Sequence, residues 1–407
     1  MATTHRLQIG IDVQLESRYL ELPFAHPGGR SVEVTLEFDR SAAEIDLGVR
    51  DPERWRGWSG GARMRFAITP DAATPGYEAG PLPAGEWAVV LGLYKVPAEP
   101  IDVVVTIEAP ASAAVEADPP APPRPDAPRG SARSLPAPDG LTWFAGDFHA
   151  HTLHSDGELS IAQLSAAAAA RGLDFLAVTD HNTVSHHPHL PAVASAYDLA
   201  LLPGQEVTTH RGHANAFGDI GWIDFREPPS RWVEEVAERG GVLSINHPLD
   251  GEWAWLHPLE QLPPALEFWH ITWFRELTAT GPWALLPRWR PDVTLIGGSD
   301  FHHAGHGYPP GTPTTWVAAA DRSPEAILEA LAAGRTAISR YPGAGEAVLV
   351  RVGSDLVALD ADGAVLVDSL GRSRRVHGDR AVFDAEAAGV GPFRLETPAR
   401  ELLAISR

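Results

Sequence analysis

Residues Gly146 to Gly157 read GDFHAHTLHSDG. Three histidines and two aspartates fall between Asp147 and Asp156, directly after the apolar run LTWFA at 141–145. A short apolar run that stops at polar residues predicts a buried strand. In His149-x-His151 both rings leave an extended chain on one side, because strand side chains alternate with period 2. A strand that ends on two imidazoles points to the C-terminal face of a parallel sheet or barrel, where such folds build their sites.

The same construction repeats outward from this stretch. LDFLAVTDH ends on Asp180 and His181, ALLPGQEV on Glu206, GVLSINHP on His247, and VTLIGGSDFH on Asp300 and His302; ALEFWHI is a further strand. Helices are predicted at SIAQLSAAAAARG (N-cap Ser160, Gly172 past the end), at PSRWVEEVAERGG and at SPEAILEALAAGR, capped by Ser323. Strands alternating with helices over 141–343 predict an α/β domain with a parallel sheet. Residues 1–110 carry β patterns such as SVEVTLEF and IDVVVTIEA, which predict an N-terminal β-sandwich. Residues 111–140 are a Pro/Ala-rich stretch that reads as a semi-extended linker. Residues 344–407 read as a small C-terminal β region with a hairpin turning at DADG, 360–363.

Composition excludes several functions. With 32 basic and 53 acidic side chains the formal charge is −21, which repels a duplex nucleic acid at any extended surface. Cysteine is absent, so no thiolate nucleophile, disulfide or Cys-ligated zinc exists. The start MATTHRLQIGIDVQ lacks a secretory pattern, and Gln163, Arg171 and Asp174 break the longest low-polarity run. A cytoplasmic protein without a membrane partner is expected, and the N-terminal β region leaves room for homo-oligomer formation.

Of 18 histidines, 15 lie between His149 and His306. Imidazole and carboxylate donors suit zinc, manganese or iron(II). One tetrahedral ion would leave most of the strand-end donors unused, so two or three ions sharing a carboxylate fit better. A single buried histidine is more often a satisfied core residue; successive strand ends carry the reading. Pattern alone leaves His154, His186, His270 and His306 unassigned.

FHAHTLHSDG, VTDHN, GQEVT, GHANAFG, NHP and GSDFH together resemble the PHP (polymerase and histidinol phosphatase) family of metal-dependent hydrolases. TDHNTVSHH and GTPTTWV followed by ILEALAAGRTAIS resemble its CehA/McbA-type branch. The resemblance implies a distorted (β/α)7 barrel over 141–343 with up to three divalent ions (Mn, Zn or Fe) at the strand C-termini. It implies that His149, His151, Glu206 and Asp300 hold one ion, and that Glu206 bridges to a second completed by His213 and His247. Asp156, His181 and His302 would serve a third. Asp180 would orient a ligand from behind, with Asn246 and Asn215 doing likewise. His270, in FWHITWF, stands where the branch has an Asn-containing motif.

The implied chemistry is hydrolysis by a metal-activated water, with His154 or His186 as proton donor to the leaving group. The leading substrate is a small anionic phosphate ester, with Arg211, Arg275 and Arg340 as candidate phosphate-facing cations. A carbamate or carboxylic ester at the same site is the alternative. A third reading is a binding module that keeps its metals without turnover. Residues 141–343 are expected to hold every ligand.

Overall fold

The computed structural model describes residues 2–258, 261–271 and 280–407. Contacts divide the chain into two compact units. One comprises Met1–Pro120 with the short segments Thr152–Ser160 and Asp180–Pro188; the other comprises Ala121–His151, Ile161–Thr179 and His189–Arg407.

The first unit is built from β1 (Ala2–Ile9), β2 (Tyr19–Gly29), β3 (Val32–Glu37), β4 (Glu44–Arg50), β5 (Trp55–Trp58), β6 (Arg65–Ile68), β7 (Leu82–Lys95) and β8 (Ile101–Glu108). They form two four-stranded antiparallel sheets, ordered β1-β8-β3-β6 and β2-β7-β4-β5. Alternating side chains of both sheets, among them Val34, Phe66 and Val105 from one and Leu47, Trp87 and Val89 from the other, make a single apolar core. Period-2 burial of this kind is what an antiparallel sheet with one dry face requires.

In the second unit, β9 (Thr142–Asp147), β10 (Phe175–Val178), β11 (Ala200–Thr209), β12 (Gly212–Phe217), β13 (Val242–Ile245), β14 (Ala265–His270) and β15 (Thr294–Gly298) follow in chain order across one sheet. The sheet continues past β9 through β16 (Thr314–Ala319) and β17 (Thr336–Ser339) into the C-terminal strands, reaching 13 strands. It is mixed rather than all parallel: β9–β10–β11 and β13–β14–β15 pair parallel, whereas β12 is antiparallel to both its neighbours. The cause is local. Only two residues separate β11 from β12, and a hairpin is the one connection that short. Gly212, at φ +119, closes that turn where a side chain would strike Trp255.

No backbone ladder joins β15 to β16 among the described residues. Instead the Thr315 hydroxyl on β16 accepts from Gly297 N at 2.7 Å and donates to Gly297 O at 2.9 Å. One side chain thus satisfies both backbone groups of a buried glycine on the edge strand β15. A second link at the same margin is a parallel bridge between Ala150 and Phe301. Helices Ile161–Ala170, Pro229–Glu238 and Pro324–Ala332 form where their patterns predict them, and the Ser323 hydroxyl accepts from Ala326 N. Phe148 fits edge-on against Phe175 and Phe217 with centroids 5.1 and 5.2 Å away, filling the sheet interior directly behind the histidines.

The DADG stretch does not close a hairpin. The strand before it, Asp355–Leu359, pairs in a separate three-stranded sheet, and the strand after it, Val365–Val367, joins the large sheet. Asp360 and Gly363, both at positive φ, turn the chain, and burial of Ala361 and Ala364 in the core holds it there. The Pro-rich stretch is tied at both ends: the backbone of Ser112 and Ala113 donates to Glu33, and Ser131 donates to Asp174.

Thr315→Val keeps the shape of the side chain and leaves Gly297 with an unpaired buried N–H and C=O. A loss of about 1–3 kcal/mol is expected in denaturant unfolding, with the secondary-structure content unchanged by circular dichroism.

Candidate metal centre

β11, β12 and β14, with the ends of β9, β13 and β15, bring nine ionisable side chains of the second unit together. Glu206 lies at their centre. On β11 it stands directly opposite Asn215 of β12, and His213 lies diagonally across on the same face. Glu206 Oε1 lies 3.2 Å from His149 Nε2, 3.2 Å from His213 Nδ1 and 3.5 Å from His247 Nε2, and accepts from Asn246 Nδ2 at 2.7 Å. Its Oε2 lies 3.5 Å from His151 Nε2. Asp300 Oδ1 lies 3.1 Å from His149 Nε2 and 2.9 Å from His151 Nε2. Asp300 Oδ2 lies 3.3 Å from His270 Nε2. His302 stacks on His151 at 4.1 Å, its Nδ1 2.9 Å from the Asp300 carbonyl, which orients the ring.

Two residues here were missed from the sequence. Glu267, buried in the middle of β14, takes His149 Nδ1 at 2.9 Å with Oε1 and accepts His247 N at 2.7 Å with Oε2. The signal was present: a carboxylate inside an apolar strand is almost never buried unless paired. His270 joins the cluster through Asp300 and lies 3.6 Å from Asp250, which was not legible as a ligand position.

The donors fit a divalent ion. With Nδ1 committed to Glu267, His149 directs Nε2 at the Glu206 and Asp300 carboxylates, yet makes no hydrogen bond with it. Two close donor sets form in this unit, His149/His151/Glu206 and His149/His247/Asp300. A carboxylate behind the imidazole is the arrangement that orients a metal-binding histidine. In the metal-free chain, burial lowers the His149 pKa but Asp300, Glu206 and Glu267 outweigh it and raise it well above the ordinary value. Burial raises Asp300, but His149 and His302 and the bonds from His151 and His270 bring it well below the usual range. The pocket therefore demands positive charge, from protons or from metal.

Strand-end geometry supports this grouping. His247 and Asp300 adopt positive φ, +26° and +49°. Backbone held in that region marks positions the surroundings over-determine. Asp147 is not a donor to the cluster. Its carboxylate accepts from His149 N, Ser299 N, Ser299 Oγ and Gly311 N, which knots the ends of β9 and β15 together. Gly298 must be glycine: a Cβ there would lie 2.2 Å from Glu267 Oε1 and 2.5 Å from His149 Cβ.

The remaining expected site residues belong to the first unit. His181 Nε2 lies 3.5 Å from Asp156 Oδ1. Asp180 accepts from Thr152 N at 2.8 Å, Thr152 Oγ1 at 2.7 Å and Ser155 Oγ at 2.7 Å, and His186 Nδ1 is 3.3 Å away. His154 shares Nδ1 between Ser185 Oγ at 2.8 Å and Gly76 N at 3.4 Å. His154 and His186 are both buried, inside a network that holds loops together. That placement suits a positioning role. Asp46 of β4 is coupled electrostatically to His181 and Asp156. Its carboxyl is pushed up to about 7, by burial first and then by Glu44 and Asp156, against the pull of His181. Of the cations considered for a phosphate, Arg211 donates to Leu256 O, Arg340 lies over the Tyr341 ring, and Arg275 lies outside the described residues.

Residues 147–247 match the family model of the PHP domain. The chain carries a PHP domain. A curated relative, a 5'-3' exoribonuclease of Haemophilus influenzae, is 34% identical over 64 residues, which is 16% of this chain and 23% of that protein. The chain thus spans less than a quarter of that relative's length. Among solved structures, a two-domain protein from Bacteroides vulgatus containing a predicted PHP-like metal-dependent phosphoesterase shares 19% identity at a TM-score of 0.39, covering 67% of this chain and 97% of that one. A proposed metal-dependent phosphoesterase from Bifidobacterium adolescentis shares 20% at 0.31, covering 40% and 89%. Within the PHP domain the matched stretch begins at the Asp147 knot and ends at His247. Among the described residues no helix is long and apolar enough to cross a membrane.

Glu267→Gln should weaken divalent-metal binding about 10- to 100-fold, the range for a partner behind a ligand, as read by competition with a chelator. Asp46 gives a pH signature. A carboxyl at about 7 when folded and near 4 when unfolded holds its proton longer in the folded state. Stability of the metal-free chain therefore falls as pH rises from about 4 through 7. In chemical denaturation across that window, Asp46→Asn should show a shallower fall than the wild type.

Proposed function

We propose that this protein is a metal-dependent hydrolase of small phosphate esters. The observation that carries the reading is Glu206, one buried carboxylate that approaches His149, His213 and His247 through Oε1 and His151 through Oε2. We assign to its domain a distorted (β/α)7 barrel with β9–β15 as the seven strands. In this assignment His149, His151 and Asp300 would hold one ion, His213 and His247 a second, and Glu206 would bridge them. The Asp156–His181 pair offers donors to a third.

Divalent ions held there would supply Lewis-acid activation of water and charge neutralisation at a phosphate. The residues do the rest. Glu267 fixes the His149 tautomer, Asn246 holds one Glu206 oxygen, and Asp147 keeps the strand ends in register. Asp180 with His154 and His186 holds the loop that carries Asp156. Glu206, Glu267 and Asp300 carry −3, so two divalent ions leave about +1 and favour an anionic substrate. The chain's charge of −21 supports a small ester over a duplex, since a long polyanion meets the acidic shell at every contact outside the pocket. The exoribonuclease relative is named for phosphodiester cleavage, which supports phosphoester chemistry without naming this substrate.

Mn-loaded protein should hydrolyse a simple aryl phosphate, and Glu206→Gln should lower that turnover at least about 100-fold. Turnover of aryl carboxylic or carbamate esters with none of any phosphate ester would replace this reading with ester hydrolysis. Absence of bound metal after reconstitution would remove it.

A further inference from the structure

We infer that the N-terminal β module braces the Asp156–His181 pair of metal donors, with Arg63 as the positioning residue that places Asp156. The inference rests on the metal reading above. The compact unit built around Met1–Pro120 also contains Thr152–Ser160 and Asp180–Pro188, the two loops that carry Asp156 and His181. These loops lie far from the module in sequence, yet they belong to it in space.

Two ties make the connection. The first is Arg63, which precedes β6. Its guanidinium donates Nη1 to Ser155 O at 2.9 Å and Nη2 to Leu153 O. Those carbonyls belong to the three residues immediately before Asp156. A planar guanidinium fork can hold two carbonyls at a fixed spacing, which an ammonium cannot do. The second tie is Gly76. Its carbonyl accepts from Thr183 Oγ1 at 2.9 Å, and its N–H donates to His154 Nδ1 at 3.4 Å. Gly76 sits at φ +99, and a Cβ there would lie 2.8 Å from His154 O, so only glycine lets the backbone come this close. One tie therefore grips the loop of Asp156, and the other reaches both loops at once. From the loops' own side Asp180 holds Thr152 and Ser155. The backbone before Asp156 is fixed by the module as well as by its own network. Residues 141–343 can then contain the ligands and still hold an ion poorly without residues 1–110.

The test uses full-length protein loaded with Mn²⁺ and passed through a desalting column. Bound Mn²⁺ is counted by elemental analysis, and affinity is measured by titration of the free-ion paramagnetic resonance signal. Arg63→Ala should lose about one tightly held ion, with the weakest site at least about tenfold weaker. Arg65→Ala is the control: it breaks the Glu33 ion pair of the same module and should keep wild-type metal content. Thr183→Val, close in shape, should weaken the same site while the protein stays folded by circular dichroism, with no more than the loss of stability expected for one buried hydrogen bond. Folded Arg63→Ala with wild-type metal content and affinity overturns the inference. If Arg63→Ala does not fold, unchanged affinity in Thr183→Val overturns it. Wild-type protein that binds no Mn²⁺ instead overturns the metal reading itself, so the two failures are distinguishable.

Discussion

The approach of Glu206, Asp300 and Glu267 to one another around His149 is the constraint on which the rest of this structure depends. Glu206 and Glu267 are buried and Asp300 is only partly exposed, so water screens the three carboxylates poorly. Their charge is tolerable only beside cationic groups. In the metal-free chain the imidazoles supply that charge, so His149 and His247 are driven toward protonation despite burial. A divalent ion answers the same demand with fewer groups, and it also uses the lone pairs that the imidazoles would otherwise cover with protons.

Keeping such a crowd in register needs a stiff frame. The frame is made at the strand ends rather than within the strands. Asp147 ties β9 to β15, Thr315 bridges the sheet margin at Gly297, and Gly298 lets Glu267 come against His149. Each uses a small residue or a hydroxyl where a larger side chain would push the donors apart. The left-handed backbone at His247 and Asp300 belongs to the same economy of space: an extended residue there would carry the side chain past the cluster.

The loops that carry Asp156 and His181 are handled differently. They have no strand to stiffen them, so a buried polar network does it, with Asp180 as the acceptor for three donors. Fully satisfied networks of this kind rigidify a loop, whereas a partly satisfied one would loosen it. The N-terminal module adds Arg63 and Gly76 to that network. Its sheets thus have a role that a packing module would not need.

Periodicity sufficed for the strand–helix order, because runs such as LDFLAV and VTLIGG bury both faces and end abruptly at polar residues. His149, His151, Glu206, His247 and Asp300 could be marked as donors because strand ends collect them on one face whatever the details of packing. Several things were not legible. The antiparallel course of β12 depends on a two-residue turn, and GHANAF reads equally well as a loop motif. Glu267 and His270 act through partners some 20–120 positions away in the chain, and no local pattern encodes such distances. His154 and His186 carry the right chemistry for proton transfer, but only the tertiary structure encloses them. The sequence by itself determined which chemistry is available and on which strand ends it stands, since both follow from residue type and local period. Which carboxylate backs which imidazole, and which module braces the loop of Asp156, was decided only in the folded chain, because both depend on long-range packing that brings distant backbone within hydrogen-bonding reach.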